Sequence, residues 1–330
     1  FFTDYLDAPS GVSLLFHTLN IFNGLWTLPV QLNFGLAVAY NAVVLVSFAL
    51  AGFGAYLLAL YSLSRIFPAG RGQRAAAFVA GLIFTMSPFH MAHLLGHMQV
   101  FSMIWPPFYI LWLLKTLRPW QPPSAAPSPR LWRNAAITCL FLILATLVDW
   151  YHTLYLLLFT GVTLIWVLWR NRGEALAAPN WRTNNFYRPI LATLAVGAGF
   201  ALALSPLLGP MIRDASSRPD LETGLAQNIA LSADLLAFVL PSEMHPLWGA
   251  WAKSIAAAFT STTSERLVFA GFVPLALGLV SLTTGWKHAA VKFWALALAV
   301  FGLLALGPYL HVGGQIVSLG GWRLPLPYLL

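Results

Sequence analysis

The stretch Leu36–Tyr61, LAVAYNAVVLVSFALAGFGAYLLALY, contains no charged side chain. A helix needs about 20 apolar residues to cross the hydrocarbon core of a bilayer, so this run reads as a membrane span. Seven further apolar runs follow it: Ala75–Ala92, Met98–Leu114, Ala135–Val148, Tyr151–Trp169, Ile190–Ile212, Leu267–Thr284 and Phe293–Leu310. Composition agrees. Hydrophobic residues make up 59% and charged residues 8%, with mean hydropathy +0.74, where soluble domains carry about 25% charge. The expected fold is all-α, a polytopic transmembrane helix bundle of eight spans. Before it, Val12–Phe34 is apolar but broken by His17, Asn20, Asn23, Gly24, Pro29, Gln31 and Asn33, as in an interfacial or re-entrant piece.

Charge orients the bundle. Arg65, Arg71 and Arg74; Lys115, Arg118, Arg130 and Arg133; Arg170, Arg172, Arg182 and Arg188; and Lys287 and Lys292 fall in alternate loops, with one acid, Glu174. The other face carries Asp4, Asp7, Asp149, Asp214, Asp220, Asp234, Glu222, Glu243 and Glu265. Basic loops stay in the cytoplasm, so the acidic face is expected to be extracytoplasmic and the protein to be multi-pass in a cell membrane. The same bias accounts for the net charge of +8 without a nucleic-acid partner. The resulting organisation is residues 1–35 extracytoplasmic or interfacial, 36–212 six spans, 213–266 an extracytoplasmic loop with short interfacial helices, 267–310 two spans, and 311–330 extracytoplasmic. Phe1 is not Met and Leu330 falls in a Pro-rich apolar stretch, so the chain reads as a segment of a longer protein. Pro119–Arg130 reads as a stiff, polyproline-like connector. The single cysteine, Cys139, excludes an internal disulfide.

Four groups could carry chemistry on the acidic face. Asp4 and Asp7 could supply a general base or metal ligand, or simply be solvated loop acids. Asp149-Trp150-Tyr151-His152 forms a turn so tight that the acid must sit at the membrane edge. A carboxylate at that depth costs about 2.5–3.5 kcal/mol; an Asp149–His152 pair could move protons, or Asp149 could pair with an arginine. His90, His93 and His97 follow the helix-breaking Ser87-Pro88. If the chain is helical there, they share one face and could contact phosphate or a metal. Arg213 and Arg218, beyond a helix end, suit phosphate or ordinary snorkelling. Walker A, GxSxG and HExxH motifs are absent, and no span holds a charge, which counts against pumps and channels.

Further residues carry a likeness. Pro9-Ser10-Gly11-Val12-Ser13, Asn20–Leu28, Ala39-Tyr40-Asn41, Ala80-Gly81-Leu82-Ile83-Phe84, Ser87–Gln99, Leu306–Val312 and Leu324-Pro325-Leu326-Pro327-Tyr328 resemble large bacterial membrane proteins similar to GT-C type glycosyltransferases. The resemblance implies transfer of a sugar from a polyprenyl-phosphate donor on the extracytoplasmic face. It also implies a catalytic acid, acting as base or metal ligand, in the first extracytoplasmic loop, a place only Asp4 and Asp7 occupy here. In that family the loop follows a first transmembrane helix that this chain lacks. Expected partners are a lipid-linked sugar donor and membrane lipids, with a divalent metal ion as the one optional cofactor. Two other readings stand beside it: an accessory subunit associated with other membrane proteins, and a lipid or small-solute transporter with broken helices at Gly197–Gly199 and Ser205-Pro206.

Overall fold

A computed structural model describes residues 2–17, 20–122, 125–177, 184–217, 224–262 and 265–329. Arg218, Asp220, Glu222 and Arg182 lie outside the described residues. The chain divides into two compact units, Phe1–Thr85 with His97–Pro219, and Met86–Gly96 with Asp220–Leu330.

In chain order the first helices are α1 (Ile21–Phe34), α2 (Leu36–Leu63), α3 (Arg71–Thr85), α4 (Pro88–His93), α5 (Met98–Phe101), α6 (Pro106–Leu117), α7 (Leu131–Thr146) and α8 (Trp150–Arg170). They are followed by α9 (Glu174–Ala177), α10 (Tyr187–Ala203), α11 (Ser205–Ser217), α12 (Leu225–Ala230), α13 (Gly249–Ala256), α14 (Phe272–Gly285) and α15 (Ala289–Ala305). Among the described residues, three stretches are long and apolar enough to cross a membrane: α2, Arg71–His93 and α8. A fourth is added if α10 and α11, bent by 81°, count as one span. Every expected apolar run contains helix, but breaks before Pro88, before Pro106-Pro107 and at Ser205-Pro206 interrupt three of the runs, because proline removes a backbone donor and crowds the preceding turn. The helices α7, α14 and α15 fall short of full span length at 16, 14 and 17 residues.

The all-α expectation needs one amendment. Strands β1 (Phe2–Thr3) and β2 (Val12–Ser13) pair antiparallel, as do β3 (His311–Val312) with β4 (Gln315–Ile316) and β5 (Ser318–Leu319) with β6 (Trp322–Arg323). Three of the four turn glycines Gly313, Gly314, Gly320 and Gly321 lie within 58–79° in φ and Gly321 lies at 85°, conformations that favour tight hairpins.

In the first unit α2 and α3 meet at glycines. A Cβ on Gly81 would lie 2.7 Å from the Gly52 carbonyl oxygen, so only glycine permits this approach. One turn further on, the Thr85 hydroxyl donates to the Phe48 carbonyl at 2.9 Å. Buried side chains join other helices: Asn23 Nδ2 donates to Ser102 Oγ at 2.8 Å, Thr153 Oγ1 to Thr146 Oγ1 at 2.7 Å, and Tyr109 bonds Thr160 at 2.6 Å. Phe22, Trp105, Phe141 and Phe108 form a chain of ring contacts with centroids 5.1, 5.7 and 5.3 Å apart.

In the second unit Ala237, Leu240, Ala252, Ala256 and Phe259 form a small core. Asp234 fastens it to the C-terminal hairpin. Its Oδ1 accepts the Leu236 N–H at 2.9 Å and its Oδ2 accepts the Gly314 N–H at 2.7 Å. Arg266 pairs with Glu243 at 3.2 Å and also donates to the Ala256 carbonyl. Asp234→Ala removes a cap and leaves the Gly314 N–H open, a cost of about 2 kcal/mol. Hydrogen exchange at residues 235–240 and 311–316 should accelerate together in this variant; unchanged exchange at the hairpin would refute the tie.

Candidate functional site

Helix α7 ends at Thr146 and α8 begins at Trp150, so the chain reverses across Leu147, Val148 and Asp149. Asp149 is the N-cap of α8, extended at φ −157°, and its Oδ1 accepts the Tyr151 N–H at 2.7 Å. A short polar side chain suits this position, because the first N–H groups of a helix have no partner inside it. The start of α1 is tied to the same turn, with the Phe22 N–H donating to the Leu147 carbonyl at 2.8 Å. Just before it, Asn20 adopts the left-handed conformation at φ 45°. The bend at Ser205-Pro206 places Leu207 and Met211 of α11 against this region. Together these pieces frame a small half-open cleft, lined by His17, Asn20, Asp149, Trp150, Leu207 and Met211 among others.

Two acceptors in that lining are bare. Asp149 is 2% exposed and its Oδ2 makes no hydrogen bond; the buried Oδ1 of Asn20 makes none either. Burying such oxygens unpaired costs free energy, which a hydroxyl-bearing ligand would recover. Burial pushes the Asp149 pKa above the usual carboxylate value, and the Tyr151 N–H pulls it part of the way back. A carboxylate so placed can take a proton from a hydroxyl near neutral pH more readily than an exposed one.

The other candidates stand elsewhere. His152 is buried on the first turn of α8, but neither ring nitrogen makes a well-formed hydrogen bond, so the expected Asp149–His152 pair is not formed. Capping explains this, because Asp149 turns Oδ1 toward the backbone of the helix start. Asp4 and Asp7 are exposed between β1 and β2 and do not line the cleft. The Asp7 carbonyl accepts bonds from Gly11 at 3.0 Å and Ser10 at 2.9 Å. His90 and His93 are buried on α4, with His93 Nδ1 2.8 Å from the Phe89 carbonyl. The single helix expected to carry all three histidines is not formed: α4 stops at His93, the Leu95 and Gly96 amides tighten back onto Ala92 and His93, and His97 precedes α5. Arg213 is exposed on α11, and Arg218 lies outside the described residues. Among the described residues no three His, Cys, Asp or Glu side chains converge as a metal site. Asn20 and His17 join the site without having been singled out, although both stand out in the sequence as polar interruptions of an apolar stretch.

Comparison with known proteins gives no matching family model, no matching curated protein and no matching solved structure.

The raised pKa has a stability consequence with a definite sign. Neutral Asp149 is favoured in the fold, so its contribution is complete below the unfolded value of 3.8 and is lost as pH rises through the higher folded value. Asp149→Asn keeps an Oδ1 acceptor for Tyr151 and has no proton to lose. The difference in melting temperature between wild type and this variant should therefore move in the variant's favour from about pH 4 upward. A difference independent of pH would contradict a buried titrating carboxylate.

Proposed function

We propose that this chain is the membrane-embedded part of a GT-C-like glycosyltransferase, with Asp149 as general base for an acceptor hydroxyl. The observation that carries the reading is the unpaired, buried Asp149 carboxylate oxygen beside an equally unpaired Asn20 oxygen in a half-open cleft. In this reading the eight apolar runs embed the bundle, and the charge alternation puts the Asp149 turn on the extracytoplasmic side. The donor is a lipid-phosphate sugar whose acyl or prenyl chain stays in the bilayer.

In the reaction, the acceptor hydroxyl binds between Asn20 and Asp149. Its proton passes to Asp149 Oδ2 as its oxygen attacks the anomeric carbon. The bond from that carbon to the phosphate oxygen breaks, and the lipid phosphate leaves with the electron pair. Apolar Leu207, Met211 and Trp150 exclude water from the transfer. Arg213 is the described cation on α11 that could meet the leaving phosphate, and no step is routed through a metal.

The test is transfer from a polyprenyl-phosphate sugar by the purified chain in lipid. Asp149→Asn should reduce turnover about 100- to 10,000-fold, the range for losing a general base, whereas Asp4→Asn with Asp7→Asn should leave it nearly intact. Loss of transfer in the double variant with retention in Asp149→Asn would move the base to the first loop. A second reading, an accessory membrane subunit, draws on α14, which buries none of its residues. A stoichiometric partner retained in native membranes and released by polar substitution of Leu277 and Val280 would favour it.

A further inference from the structure

In the second unit α13 uses one face for its core and leaves another bare. Ala252 and Ala256, one turn apart, face inward with Ala237, Leu240 and Phe259. Gly249 lies so close to the Glu243 carbonyl that no Cβ fits there. With that face occupied, Leu247, Trp248 and Trp251 stay outside, 82%, 52% and 53% exposed. The two indole rings meet edge-on with centroids 6.4 Å apart, so they form one patch. Leu236 and Val239, on either side of the buried Ala237, are exposed as well. A contiguous exposed apolar patch marks a contact surface.

Charge and continuity choose what meets it. The charges of residues 225–262 are Asp234, Glu243 and Lys253. Asp234 is buried and bonded to the Gly314 N–H, and Glu243 is paired with Arg266. Lys253 is the one left exposed on α13, and the next exposed acid, Glu265, comes after the helix. Val268 packs against the same small core, and α14, an apolar helix that buries none of its residues, starts four residues later at Phe272. Four residues of extended chain span at most about 14 Å, so the core carrying the patch is held that close to a lipid-facing helix. Tryptophan, with an apolar body and one N–H donor, suits the boundary between acyl chains and head groups.

We propose that this face of α13 is seated on the bilayer, with Leu247, Trp248 and Trp251 sunk about 5–10 Å into the boundary of head groups and acyl chains and Lys253 at head-group level. The partner is the lipid surface itself. The inference rests on α14 lying in the membrane and does not depend on sugar transfer.

The experiment uses the whole chain in nanodiscs of phosphatidylglycerol and phosphatidylcholine, with Cys139→Ser removing the native thiol. A nitroxide is placed in turn at Leu247→Cys, Trp251→Cys and, as the water-exposed reference, Asp4→Cys. Collisions with dissolved oxygen are compared with those of a water-soluble nickel chelate. The oxygen-to-nickel ratio should be several-fold higher at both α13 positions than at the reference. A ratio equal to the reference at either position overturns the proposal. Spin–spin broadening with both reagents shut out also overturns it, because the face is then a contact between copies of the chain. If a labelled variant does not fold, wild type and Trp248→Phe with Trp251→Phe are compared in bilayers of dibrominated lipid. The emission lost in the variant should be emission that bromine quenches; an unquenched difference refutes insertion.

Discussion

A buried hydroxyl surrounded by leucine and phenylalanine needs an acceptor, and six threonines of this chain find one a turn back on their own helix. Thr27, Thr116, Thr138, Thr146, Thr160 and Thr163 each donate to the carbonyl four residues earlier. This local closure lets polar side chains sit at helix contacts without dictating which helix lies opposite. Contacts between helices then rest on shape, as at Gly52 and Gly81, and on a few shared bonds such as Asn23 with Ser102. Small and weakly polar residues are the usual adhesive where burial of apolar surface cannot discriminate between neighbours.

Against that background the exceptions are informative. The Asp149 carboxylate and the Asn20 amide lack the closure that the threonines have. Asp149 is held by its capping bond to the Tyr151 N–H and is buried at the α7–α8 reversal. A polar group kept in an apolar setting at a cost is where binding or chemistry is expected. The same logic separates Asp149 from Asp4 and Asp7, which stand exposed and carry no such cost.

Much of this architecture was legible in the residues. Apolar runs located the helices, and Asp149-Trp150 announced a helix start. Ser87-Pro88 marked a true helix boundary, with the Ser87 hydroxyl accepting the His90 N–H at 3.3 Å. Other features depended on tertiary relations that no local pattern encodes. The end of α4 at His93 turns on a last helical turn that tightens at Gly96. The cleft depends on α11 folding back at Ser205-Pro206, a break the sequence showed without its angle. The hairpins from His311 onward are short and glycine-hinged, and Asp234, 80 residues before Gly314, anchors the first of them. The Pro-rich connector is also held by Arg118 at the end of α6 and by Asn185 and Arg188 at the start of α10, contacts that no local pattern encodes.

Those fastenings bear on how the protein is made. The bond from Arg188 reaches back 60 residues to Ser128. The connector therefore cannot reach its final position until the ribosome has completed α8 and begun α10, about 3 to 12 s of elongation after Ser128 is joined. Arg188 thus closes a segment made long before it, so its substitution removes a late step of folding.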